Sequence, residues 1–89
     1  MLILPDLLTH NAAADFAAGL TVLVAQQPAQ VLADAGALKT FDSSALAVLL
    51  ACRREALNAG KTFAVRGLPP QLRQLSSLYG VEKLLPEAA

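Results

Sequence analysis

Tryptophan is absent from this 89-residue chain, and cysteine, histidine and tyrosine occur once each. One cysteine builds no disulfide framework, which fits a reducing cytoplasm. His10 and Cys52 lie far apart in the sequence and do not compose a zinc site, so no metal is expected. Glycines are few, Gly60 and Gly67 are isolated, and no phosphate-cradling loop can be read, so no nucleotide cofactor is expected either. Charge of one sign is missing too. Seven basic and seven acidic side chains give a net charge of +0, and the basic ones form no stripe, which leaves no footprint for nucleic acid. Long hydrophobic runs are also lacking: the longest, Ala45 to Cys52, is eight residues, against ~20 for a bilayer span. The start, Met1 to Leu4 followed by Pro5 and Asp6, has neither the basic beginning nor the long apolar core of a signal peptide.

What the chain does have is alanine and leucine, 18 of each, within a hydrophobic content of 55% and a charged content of only 16%. That composition excludes a disordered protein and fits one small domain with a helix-rich vocabulary. Apolar periodicity then divides the chain. Met1 to Leu4 reads as a short buried strand. Ala13, Phe16, Ala17, Leu20 and Val24 recur at helical spacing and predict a helix over about 11 to 26, capped by Thr9 or Asn11. Gln30 to Asp34 reads as a second strand and 35–40 as a loop. A helix follows from Asp42 to about Ala59, closed by Gly60. Thr62 to Arg66 is a third strand, with Phe63 and Val65 set against Thr62, Ala64 and Arg66. Pro69 and Pro70 suit the start of a last helix whose Leu72, Leu75, Leu78 and Tyr79 line one face, with the Tyr79 ring in the core.

This order predicts an α/β domain: a small mixed sheet of about four strands with helices packed on it. The fourth strand would lie near Asp6 to Thr9 or in the tail that carries Val81, Leu84, Leu85 and Pro86.

The informative stretch runs from Phe41 to Leu50. Asp42, Ser43 and Ser44 put a carboxylate and two hydroxyls at a helix start, where unpaired N–H groups and the positive end of the helix dipole favour oxygen. Asp42 or Ser43 caps the helix in the plainest reading. On the helix itself Ala45, Val48, Leu49, Cys52, Ala56 and Ala59 share one side, which should face the sheet. Ala47, Leu50, Ala51, Arg54 and Asn58 point away from it. The first two turns of that outer side are apolar, flanked by Leu46, and either meet a partner or are covered by another element. Arg53, Arg54 and Glu55 read as a solvated run, Cys52 as a small core residue, His10 as a loop residue and Asp34 as a brace for the loop that follows its strand.

Asp42, Ser43, Ser44, Ala45 and Leu46, placed after an apolar strand that ends in Asp34, resemble the signature of STAS domains. The block from Arg66 to Pro69, with Leu72, Leu75, Leu78, Tyr79, Gly80, Val81, Leu84, Leu85 and Pro86, is similar to the small STAS subunits of Mla phospholipid-transport complexes. The resemblance is good over about Gln30 to Pro86 and loose before it. Ala45 stands where most members have glycine, Ala35 and Gly36 depart from the usual pair after the strand aspartate, and the family's first strand has no counterpart, since Met1 to Leu4 matches the strand that normally pairs with it. An edge left that way would favour self-association.

The resemblance implies a non-catalytic accessory subunit that binds a cytoplasmic, MlaF-like ABC ATPase in a complex with a membrane permease. It would sit at the inner face of the inner membrane and support phospholipid transport and outer-membrane lipid asymmetry. Carried over by position, Ser43 is the hydroxyl residue of the partner-facing helix start, with Asp42 and Ser44 beside it and Leu46, Ala47 and Leu50 as apolar contacts. The alternative the family offers is an anti-sigma factor antagonist switched by phosphorylation of Ser43.

Overall fold

Strands form where apolar runs are stopped by proline, glycine or acidic residues, and in the computed structural model, which describes residues 1–88, they are short. β1 (Leu2–Ile3), β2 (Leu7–Leu8), α1 (His10–Ala18), α2 (Leu20–Ala25), β3 (Gln30–Asp34), β4 (Thr40–Phe41), α3 (Ser44–Asn58), β5 (Thr62–Arg66) and α4 (Pro70–Leu78) follow in order, and a 3-10 turn spans Glu82–Leu84. The main sheet has the order β1-β3-β5 and a second, two-stranded sheet joins β2 to β4. All three strand pairs are parallel, where a mixed sheet was expected. Helical crossovers between successive strands make parallel pairing the natural outcome.

Both expected places for a fourth strand are partly used. β2 lies in the Asp6 to Thr9 stretch, and in the tail Glu87 makes a single parallel bridge to Val65. The loop predicted over 35–40 is shorter than expected, since Thr40 and Phe41 pair with Leu7 and Leu8.

The sheet register sorts the side chains. Leu2, Ala33 and Val65 lie abreast and are all buried, while Ile3, next along β1, is 66% exposed on the opposite face. Ala64 is an exception to the predicted alternation: it is buried along with Phe63 and Val65. α3 closes the other side of the core through Ala45, Val48, Leu49, Cys52 and Ala56. It packs against α1, α2, β3 and β5, which bury Leu46 as well. Burial pushes the Cys52 thiol up to about 11, with Glu55 adding to the shift, so this cysteine stays a neutral thiol inside the core.

Helix ends follow the sequence with two differences. Gly60 closes α3 at a φ of 73°, and the Lys61 N–H returns to the Ala56 carbonyl at 2.9 Å, a C-terminal turn that a side chain at Gly60 would strain. The single helix predicted over 11–26 is instead two, α1 and α2, because the chain breaks at Gly19, whose N–H turns back to the Phe16 carbonyl at 3.2 Å. The Lys61 ammonium ties the far end of α2 down by donating to the carbonyls of Val24 at 2.8 Å and Gln27 at 2.6 Å. The predicted face of α4 also needs correction. Leu72 is fully buried and Leu75 partly so, but the companion on the buried side is Ser76, while Leu78 is 77% and Tyr79 57% exposed. Tyr79 keeps the helical register, its N–H still donating to the Leu75 carbonyl at 3.1 Å, yet stays exposed along with Leu78 at this last turn.

Candidate functional site

The corner that holds Ser43 is built by two of the three two-residue strands. β2 and β4 run parallel with Leu8 opposite Phe41, and the Asp6 backbone carbonyl fixes their entry by accepting the N–H groups of Lys39 and Thr40 at 2.9 and 3.0 Å. A helix follows each strand within three residues, so α1 and α3 start side by side. His10, expected in a loop, is the first residue of α1 and exposed. It lies close enough to Asp42 for its backbone N–H and its ring to act on that carboxylate.

Asp42, not Ser43, caps α3. The Asp42 carboxylate accepts the Ser44 N–H at 2.8 Å, and the Asp42 and Ser43 carbonyls receive the N–H groups of Ala45 and Leu46 at 3.0 and 3.1 Å. The Ser44 N–H, then the Ser44 side chain, and then the neighbouring His10 hold the Asp42 carboxyl below its ordinary 3.8. Ser43 occupies the N-cap position with φ −60° and ψ −18°, and its side chain makes no capping hydrogen bond. Its hydroxyl is exposed at the tip of the corner, while Ser44 is half-buried beside it. The capping chemistry is complete without Ser43.

Beside this tip an open groove of about 220 Å³ runs between α1 and α3, floored by Ala13 and Val48 and flanked by His10, Ala14, Ala17, Ser44 and Ala47. It is smaller than the ~300–1,000 Å³ of ordinary small-molecule pockets and fits one or two side chains better than a substrate. Its walls are mostly methyl groups, and its only titratable lining group is His10.

Not every residue predicted for the partner surface reaches it. Asp42, Ser43 and Ala47 are exposed and adjacent, and Ser44 is partly so. Leu46 is not available: it is 2% exposed and belongs to the core, because the elements around α3 cover it. Leu50 and Ala51 are half-buried against the same core. The apolar wall beside Ser43 comes instead from alanines of α1, which sequence periodicity had placed on a helix without relating that helix to Ser43. The β2–β4 pairing supplies that relation, and two-residue strands are too short to show a period.

Asp34 braces its loop as expected, its carboxylate accepting the Gly36 N–H at 2.8 Å. Next to it Gly67 turns with a φ of 67°, and a side chain there would come within 3.2 Å of the Gly36 backbone. The loops that leave β3 and β5 are therefore packed against each other through two glycines.

Comparisons with known proteins agree with this geometry. A family model described as "Mlab, STAS domain" matches residues 2–86. No curated protein matches the sequence. Among solved structures, the anti-sigma factor antagonist SpoIIAA in its unphosphorylated form is similar in fold, with a TM-score of 0.74 at 19% sequence identity; the likeness covers 98% of this chain and 76% of that one.

Proposed function

This chain belongs to the MlaB-type STAS domain family, and from that premise we propose that it is a non-catalytic accessory subunit of a phospholipid-transporting ABC complex. In this reading it binds the cytoplasmic, MlaF-like ATPase through the corner at the start of α3 and supports assembly and activity of the transporter. The complex includes a membrane permease and holds the subunit at the inner face of the inner membrane. No helix among the described residues is long and apolar enough to cross a membrane, so attachment would come through the partner.

The observation that carries this reading is the division of labour between Asp42 and Ser43. A serine kept only for capping would be expected to make the capping bond; here Asp42 makes it and the Ser43 hydroxyl stands exposed next to an alanine-walled groove. A small polar tip beside a shallow apolar recess suits a protein surface that brings one hydrogen bond and one inserted side chain. Asp42, Ser43 and Ser44 supply the polar contact, Ala47 and the α1 alanines the apolar one, and Leu50 backs them from the core side. The test is affinity purification of the tagged chain from its native cells with identification of what co-purifies. Recovery of an ABC ATPase with a permease supports the reading, and its absence under solubilising conditions that keep transporters intact counts against it.

The exposed Ser43 hydroxyl also favours a second reading, a phosphorylation switch of the anti-sigma factor antagonist kind, since the similar solved structure is such an antagonist. Phosphate on Ser43 would add about −1.5 to −2 charge beside the Asp42 carboxylate and close the corner to an apolar partner. Intact-mass measurement of the protein from native cells across growth conditions separates the two: a species heavier by one phosphate supports the switch.

A further inference from the structure

The two edges of the main sheet are protected by different means. β1 is two residues long and is followed at once by Leu4 and Pro5, which leaves little edge to pair with. β5 is five residues long, rich in strand-forming side chains and free of proline, and it is covered by the tail.

We propose that Pro86–Ala88 is a latched strap over the β5 edge, and that its release lets β5 pair antiparallel with β5 of a second copy of this chain. The strap is held by little. The Val65 N–H donates to the Pro86 carbonyl at 2.8 Å and the Ala88 N–H donates to the Val65 carbonyl at 2.8 Å. Arg73 on α4 is the latch: its guanidinium donates to the Leu85 carbonyl at 3.1 Å and to the Glu87 carboxylate at 2.9 Å. That ion pair is the one found among the described residues, and the Glu87 side chain is 61% exposed, so water and salt weaken it. Leu85, fully buried, anchors the tail just before the strap and stays in place when the strap lifts.

The surface beneath is self-complementary. Pairing about Ala64 sets Thr62 of one copy opposite Arg66 of the other and Phe63 opposite Val65, with no like charges facing each other. The family match ends at residue 86, so Glu87 and Ala88, which complete the strap, lie beyond it.

Two substitutions test this. Ala88→Pro removes the N–H that binds Val65, and Arg73→Gln removes the charge that binds Glu87. Amide exchange of Val65 is read by NMR in dilute protein, and dimerisation by sedimentation equilibrium over a range of concentrations. Ala88→Pro is expected to raise Val65 exchange about tenfold and to tighten dimerisation by about the same factor, with Arg73→Gln shifting both in the same direction by less. Val65 exchange at the wild-type rate in both variants overturns the strap, and faster exchange without stronger dimerisation overturns the pairing. Should Ala88→Pro fail to fold by circular dichroism, Arg73→Gln is decided by the same two readouts.

Discussion

Two helices leave the same end of the parallel sheet, α3 after β3 and β4, and α4 after β5, and only α3 starts with an exposed serine beside a capping carboxylate. α4 begins on Pro69 and Pro70 with no side-chain cap, and its entry turn at Gly67 is packed against Gly36. Proline at the first helical position removes an N–H that would otherwise need a partner, so that end is closed by chemistry as well as by packing. α3 begins with one carboxylate engaged and one hydroxyl exposed, and the β2–β4 pair has moved it sideways against α1. The contrast teaches that the corner proposed for recognition is made by a detour. Without the two-residue strands, the chain after Asp34 would enter its helix as directly as the chain after Arg66 does.

The contrast can be broken from either helix. Leu49 is fully buried on α3, and Leu49→Ala should cost ~2–5 kcal/mol in urea unfolding, a large share of the stability of a domain this size. A loss below ~1 kcal/mol would mean that α3 is not the closing element of the core. Gly67→Ala on the α4 side meets both a positive φ and the Gly36 backbone at 3.2 Å, and should cost ~1–3 kcal/mol. Because that strain also presses on the loop after Asp34, a thermal midpoint unchanged by Gly67→Ala would contradict the packing of the two exits.

Asp42→Ala sharpens the comparison more gently. The Asp42 carboxyl is held below 3.8 in the folded protein, so the stability it contributes is fully present above pH 3.8 and is lost as pH falls through its lowered folded value. The wild-type chain should therefore lose stability on acidification through that window more steeply than Asp42→Ala, measured by urea unfolding at a series of pH values. Parallel pH profiles would show that the cap is not formed in solution.

The long elements were legible because they are long. β3 and β5 match the predicted spans residue for residue, and the sheet-facing side of α3 was read correctly from Ala45 to Ala56, since fifteen residues show a helical period clearly. Ala59 was not: it keeps the helical register through its N–H bond to the Glu55 carbonyl at 3.1 Å but is exposed at the end of α3. The STAS fold followed from these parts and from the residues around Asp42. What stayed hidden depends on contacts between elements distant in sequence. Leu46 sits beside a helical face that looks outward until α1 and α2 are placed, and Tyr79, in helical register with Leu72 and Ser76, reads as a core residue until the last turn of α4 is known to be exposed. His10 offered no periodic signal at all, and the Leu8–Phe41 register is what brings it to Asp42 and Ser44.

The measurement that bears most directly on the proposed role is co-purification of the ABC ATPase with Ser43→Glu and Ser43→Ala, at matched expression and with thermal midpoints near wild type. Ser43→Glu places a carboxylate next to the one on Asp42 and fills the approach to the groove, whereas Ser43→Ala removes a single hydroxyl and leaves the cap intact. Ser43→Glu should lose most of the bound ATPase and Ser43→Ala only part of it. Full recovery of the ATPase by both variants would remove Ser43 from the interface and contradict the account.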